Sequence, residues 1–169
     1  MGAAPEQGQR GSEIVFQDRV KRAAAALATA TLLWTTPSLA QTAPQKLPTI
    51  ALGAGMHNIR AEVATTPEQH QIGLMFRTAM GTNEGMLFIF ERPAQQCFWM
   101  KNTLIPLSVA FISEDGTVVN IEEMAPQTLE SHCSLKPVRH VLEMNAGWFA
   151  RRGIKPGTRL LGAPFGTPR

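Results

Sequence analysis

From residue 57 to residue 161 the chain is cut into apolar or alternating runs of about five to eight residues, each closed by a turn signal. Runs of that length are strands. His57, Ile59, Ala61 and Val63 alternate with Asn58, Arg60, Glu62 and Ala64, the period of a half-buried strand. Residues 85–90 (GMLFIF) are continuously apolar between Asn83 and Pro93 and read as a buried strand, and 97–103 follow as another. Residues 107–112 place Leu107, Val109 and Phe111 on one face. Glu114, Asp115 and Gly116 then turn the chain and 118–124 resume, which makes 107–124 a β-hairpin. Residues 138–144 form a further strand, and 154–161 close the domain as an edge strand.

Two short helices interrupt this pattern. Thr66, Pro67, Glu68 and Gln69 supply a capping hydroxyl, a proline at the first position and an amide three residues after the cap, predicting a helix to about Phe76. Asn145 caps a second through Trp148 and Phe149, with Arg151 and Arg152 in its last turn and Gly153 beyond it. The expected fold is mainly β: a single compact, antiparallel-rich β-sandwich or bent β-barrel with two short helices, rather than an alternating α/β sheet.

Ahead of this region, residues 23–34 (AAAALATATLLW) follow Arg19, Lys21 and Arg22 and precede Pro37, Ser38, Leu39 and Ala40. That is the layout of a signal peptide cleaved after Ala40, and its apolar run falls short of the roughly 20 residues a membrane span needs. The charged stretch before it is long, so translation starts at Met1 or near Val20. The expected organisation is a leader over 1–40, read by the export machinery and signal peptidase, a flexible linker over 41–48 and one β-rich domain over 49–165. The product is then periplasmic or secreted. No cysteine flanks the cleavage point for a lipid anchor, and the leader has no adjacent arginines, which points to the general export route. The remainder carries 12 basic and 10 acidic residues, scattered along the chain, so nothing in the pattern calls for nucleic acid or a stable membrane anchor.

Cys97 and Cys133 are the two cysteines of the chain. In the oxidising compartment the leader implies, they are expected to form a disulfide, the alternative being two buried thiols or half of a metal site. His57, His70, His132 and His140 show no metal spacing, the methionines fall at apolar positions, and no metal or cofactor is expected.

Residues 73–77 (GLMFR), 85–90 (GMLFIF), 98–107 (FWMKNTLIPL), the turn at Asp115 and 141–147 (VLEMNAG) occur in an order and spacing that resembles the bacterial and archaeal family named domain of unknown function 192, over about residues 57–161. The resemblance implies a compact, mostly β domain, frequently exported, with no established reaction. Members often carry an acid directly after IPL, where this chain has Ser108.

Trp99, Lys101 and Asn102 are the most chemically suggestive neighbours. On a strand Trp99 shares a face with Lys101 and Thr103, a floor on which an indole stacks and an ammonium meets an anionic group. Glu143 and Glu62 are carboxylates that could pair with Lys101 or act as acid and base on a sugar. No serine lies in a nucleophile elbow and no glycine-rich phosphate loop is present, so no catalytic residue is assigned. The first expectation is a non-enzymatic periplasmic binding or accessory protein for a small polar ligand or envelope component, with Trp99, Lys101, Asn102, Glu143 and Glu62 as candidate ligand-binding residues. The alternatives are an envelope-carbohydrate hydrolase or lyase using a carboxylate with Lys101, and a structural or interaction module without a ligand site.

Overall fold

The structure is a computed structural model that describes residues 43–165; the expected leader, its cleavage site and the true start lie outside the described residues. In chain order the elements are β1 (Thr49–Ala54), β2 (His57–Ala64), α1 (Pro67–Ile72), β3 (Glu84–Ala94), β4 (Cys97–Phe98), β5 (Leu107–Ile112), β6 (Val118–Met124), β7 (His132–Cys133), β8 (Val138–Asn145), α2 (Trp148–Arg151) and β9 (Leu160–Leu161), with a 3-10 turn at Ala163–Phe165. Strand accounts for 44% of these residues and helix for 11%, and the sheet curls into a half-barrel, so the mainly β expectation holds.

One sheet runs β6-β5-β8-β3-β2-β1-β9, and β4 pairs with β7 in a small separate ribbon. Neighbours are antiparallel except β2 and β3, which run parallel because α1 carries the chain back between them. Both faces of the central strands are covered. Leu52, Ile59, Leu87, Leu142 and Met144 pack with Trp148, Phe149 and Phe165 on one side. Met86, Phe88, Val109, Phe111 and Val141 pack with Leu74 and Met100 on the other. A strand covered on both faces reads as an unbroken apolar run, which is why all of β5 is buried and why GMLFIF does not alternate.

The predicted hairpin is β5 and β6, in register from Leu107 opposite Met124 to Phe111 opposite Asn120, with a shift before Ile112 meets Val118. The Thr66 capping box forms as read, but α1 stops at Ile72 instead of Phe76, because Gly73 leaves the helix at φ 49°. Helix α2 starts from Gly147 at φ 70° and not from Asn145, which ends β8 and donates through Nδ2 to the Gly81 carbonyl at 2.9 Å. Of the strand expected over 97–103, only Cys97 and Phe98 pair. From Met100 the chain turns, with Thr103 N–H donating to Met100 O at 3.1 Å and Asn102 at φ 56°. The alternating faces expected there do not exist: Met100 and Thr103 are buried while Lys101 and Asn102 are exposed. Strand β1 has the weakly β-forming sequence TIALGA, which the pattern did not mark. The closing edge strand shrinks to two residues because Pro156 and Gly157 interrupt 154–161.

Cys97 and Cys133 face each other across β4 and β7 and are joined in a disulfide, with Cα atoms 4.1 Å apart. In the expected 41–48 tether, Gln45 Nε2 donates to the Gln69 and Gly73 carbonyls and Leu47 N–H donates to Glu62, so this end lies against the domain.

Candidate functional site

Strand register sets out the site. Glu62 on β2, Met86 on β3, Glu143 on β8 and Val109 on β5 form one row across a single face of the sheet. Glu62 and Glu143 are therefore two strand spacings apart, about 10 Å between backbones. Above this row the loop after α1 and the segment after β4 stand as walls, tied together where Phe76 N–H donates to Asn102 O at 2.9 Å.

Between the walls and the sheet lies a cavity of about 250 Å³. Phe88, Phe90, Phe98 and Trp99 give it four aromatic rings, and His70, Gln96 and Thr103 add polar groups. Phe88 and Phe98 pack edge to face, with centroids 4.8 Å apart at 81°, and His70 lies tilted at 46° against Phe90, 4.5 Å between centroids. Trp99 is 48% exposed and stands at the opening rather than in the core. His70 Nε2 is 3.1 Å from the Ala64 carbonyl, an oxygen that only accepts, so Nε2 carries a proton there.

Glu143 lines the same cavity at 4% exposure. Its carboxyl makes no hydrogen bond or ion pair with any described residue, although buried carboxyls are ordinarily paired. Removal from water pushes its pKa up to about 8, so it is uncharged at neutral pH. An uncharged carboxyl still has one O–H to donate and lone pairs to fill. The unmatched polar group faces the cavity.

The other expected site residues divide. Glu62 is not at the cavity: Arg77 Nη2 holds it at 2.7 Å and Leu47 N–H at 2.8 Å, both charged side chains being mostly buried. Lys101 pairs with neither Glu143 nor Glu62; its ammonium lies 5.3 Å from the Trp99 ring centroid, exposed to solvent. The expected Lys101 ion pair is replaced by Arg77 with Glu62, because the turn at Asn102 points Lys101 outward. Asn102 braces the wall through its carbonyl and its Nδ2 contact with Met75 Sδ at 4.0 Å. Ser108 donates to the Glu123 carboxylate at 2.7 Å and accepts from Gly147 N–H at 2.7 Å, on the opposite face of the sheet from Glu143. Among the described residues no three His, Cys, Asp or Glu side chains are grouped to hold a metal.

His70 on α1 and Phe88 and Phe90 on β3 also line the cavity, and no sequence motif marked them as site residues. A local signal existed, since Phe88 and Phe90 alternate onto one face of β3, but their partner Phe98 arrives only through the disulfide-pinned ribbon.

The sequence matches the model of the family described as Uncharacterized ACR, domain of unknown function 192, over residues 49–162. No curated protein matches it. Similar solved structures include two bacterial proteins. A Sinorhizobium meliloti protein proposed to be a transcription regulator shares 38% identity, with 74% of this chain and 99% of that one covered and a TM-score of 0.65. A Novosphingobium aromaticivorans protein of unknown function shares 36% identity, with 73% and 94% covered and a TM-score of 0.67.

Proposed function

The chain belongs to the family named domain of unknown function 192, and from that membership and the geometry above we propose that it is an exported binding domain for a small ligand, seated in the cavity over Glu143. The observation that carries this reading is Glu143 itself. Its side chain is buried but its carboxyl opens on the cavity without a protein partner, and a ligand group that reaches it adds a hydrogen bond worth about 0.5–1.5 kcal/mol net, about 1.5–3 kcal/mol if charged. The aromatic walls supply apolar area and the open Trp99 edge supplies entry. The cavity holds about eight water-sized groups, the scale of a metabolite or one residue of an envelope polymer. Export is supported by the leader pattern over residues 1–40.

The test is a thermal-shift screen of the protein against cationic, neutral and anionic small molecules, sugars and amino acids. A ligand at a hundred times its Kd adds about 2.7 kcal/mol, several degrees for a domain of this size. The proposal expects at least one hit that Trp99→Ala and Glu143→Gln both weaken. Hits indifferent to both substitutions would place binding elsewhere, and a flat screen would favour an interaction module.

A further inference from the structure

We infer that the ligand is a small organic cation, its ammonium group held against the rings of Phe88, Phe90, Phe98 and Trp99 with Glu143 as counter-ion. This rests on the binding reading above and adds the ligand's charge and class.

The lining decides the sign. Its titratable side chains are His70 and Glu143, and it contains no lysine, arginine or aspartate. An anion entering would meet aromatic rings and a carboxyl, with no lysine or arginine in the lining to receive it; the nearby Lys101 ammonium stands outside the lining, over the Trp99 ring. A cation meets attraction from the rings and the carboxyl. Ring faces draw alkylammonium groups electrostatically, and the effect grows when water is excluded. Aromatic walls closing on one acid form a site of this kind.

The charged groups on the surrounding elements are either engaged or exposed to solvent, as Glu91 and Arg92 at the end of β3 are. On β2, Glu62 is held by Arg77. On β6, Glu122 is paired with His132 and Glu123 accepts from Ser108. On α1, Glu68 is fully exposed and His70 donates to the Ala64 carbonyl. Lys101 is exposed beside Trp99 and is not a lining residue. Arg77 Nε is buried without a partner, but Arg77 is not a lining residue, so among the lining side chains Glu143 is the group that answers the ligand. A neutral acceptor would use its O–H and leave the rings only apolar contact, whereas a cation uses the rings and the full carboxylate together.

The protonation balance follows. In the free protein at neutral pH Glu143 holds its proton. A quaternary ammonium seated beside it stabilises the carboxylate, and the proton leaves to the buffer.

The experiment is isothermal titration calorimetry of the intact chain with choline, with dimethylbutanol, in which carbon replaces the quaternary nitrogen, and with dimethylbutanoate. Each is run in two buffers of different ionisation enthalpy. The expected result is choline binding at least tenfold more tightly than the alcohol and more tightly still than the carboxylate, with close to one proton released. Glu143→Gln, which keeps the shape of the side chain, should erase both the preference and the proton release, and Trp99→Ala should weaken choline tenfold. If the alcohol or the carboxylate binds as well as choline in a Trp99-dependent manner, the cation inference is overturned and the pocket reading stands. If none of the three binds, the inference is overturned, and a flat thermal-shift screen beside it would remove the pocket reading as well.

Discussion

Phe76 and Asn102 are joined backbone to backbone, N–H to carbonyl at 2.9 Å, and both hold positive φ, 64° and 56°. The bond locks the loop after α1 to the segment after β4, so two residues in an unfavourable backbone region fix the gap between the walls of the cavity.

Asn102 tolerates that conformation better than most residues, and a β-branched residue does not. Asn102→Val should therefore cost about 1–2 kcal/mol, while Asn102→Gly should be close to neutral. Urea denaturation of the two variants measures the difference. Equal losses would mean that the Asn102 side chain, and not its backbone angle, is what matters.

Glu143 makes stability depend on pH in a definite direction. Its folded pKa is raised from 4.5 to about 8, so the folded state holds a proton that the unfolded chain releases in that interval. Stability from this group is fully present below about 4.5 and declines as pH rises through about 8. Between pH 4.5 and neutrality the loss is about 3 kcal/mol. Glu143→Gln should flatten this slope. The difference between wild-type and variant denaturation curves across pH isolates it from other groups.

Arg77 and Glu62 form a mostly buried pair, whereas Lys101 is exposed. Arg77→Met should destabilise by about 3 kcal/mol, since it strands the Glu62 carboxylate, and Glu62→Met added to it should recover most of the loss. Lys101→Met should change stability by less than about 0.5 kcal/mol. A double-mutant cycle by thermal denaturation checks the coupling.

The Cys97–Cys133 bridge closes a separation of 36 residues that contains the hairpin and the segment carrying Trp99. Reduction should lower stability by about 3–4 kcal/mol, and because Cys97 lines the cavity beside Phe98 and Trp99 it should also weaken ligand binding. Denaturation with and without reductant, read beside a binding titration, tests both effects.

What the sequence made legible follows from range. The hairpin of β5 and β6 and the capped start of α1 are written in residues a few positions apart, and both formed as read. Strand β1 was hidden because its small residues Ala51, Gly53 and Ala54 carry little β preference and are held by pairing with β2. The turn at 100–103 was hidden because it is imposed from outside: Met100 N–H donates to Thr128 O and Asn102 O accepts from Phe76 N–H. The same distinction governs the site. Trp99 and Glu143 were legible as residue types that rarely stand idle, and the structure brings them to one cavity. Lys101 stands out in the sequence because it would share a strand face with Trp99, yet the carboxylate at Glu62 is met by Arg77, through a pairing no local pattern encodes.

Glu143 is an acid without a protein partner in the cavity lining, and its side-chain carboxyl carbon reports this directly. Its NMR signal, followed through a pH titration of the protein labelled with carbon-13 glutamate, is predicted to turn near pH 8 in the free protein and to move to lower pH when a cation occupies the cavity. A midpoint in the ordinary carboxylate range, unmoved by any compound of the screen, would contradict it.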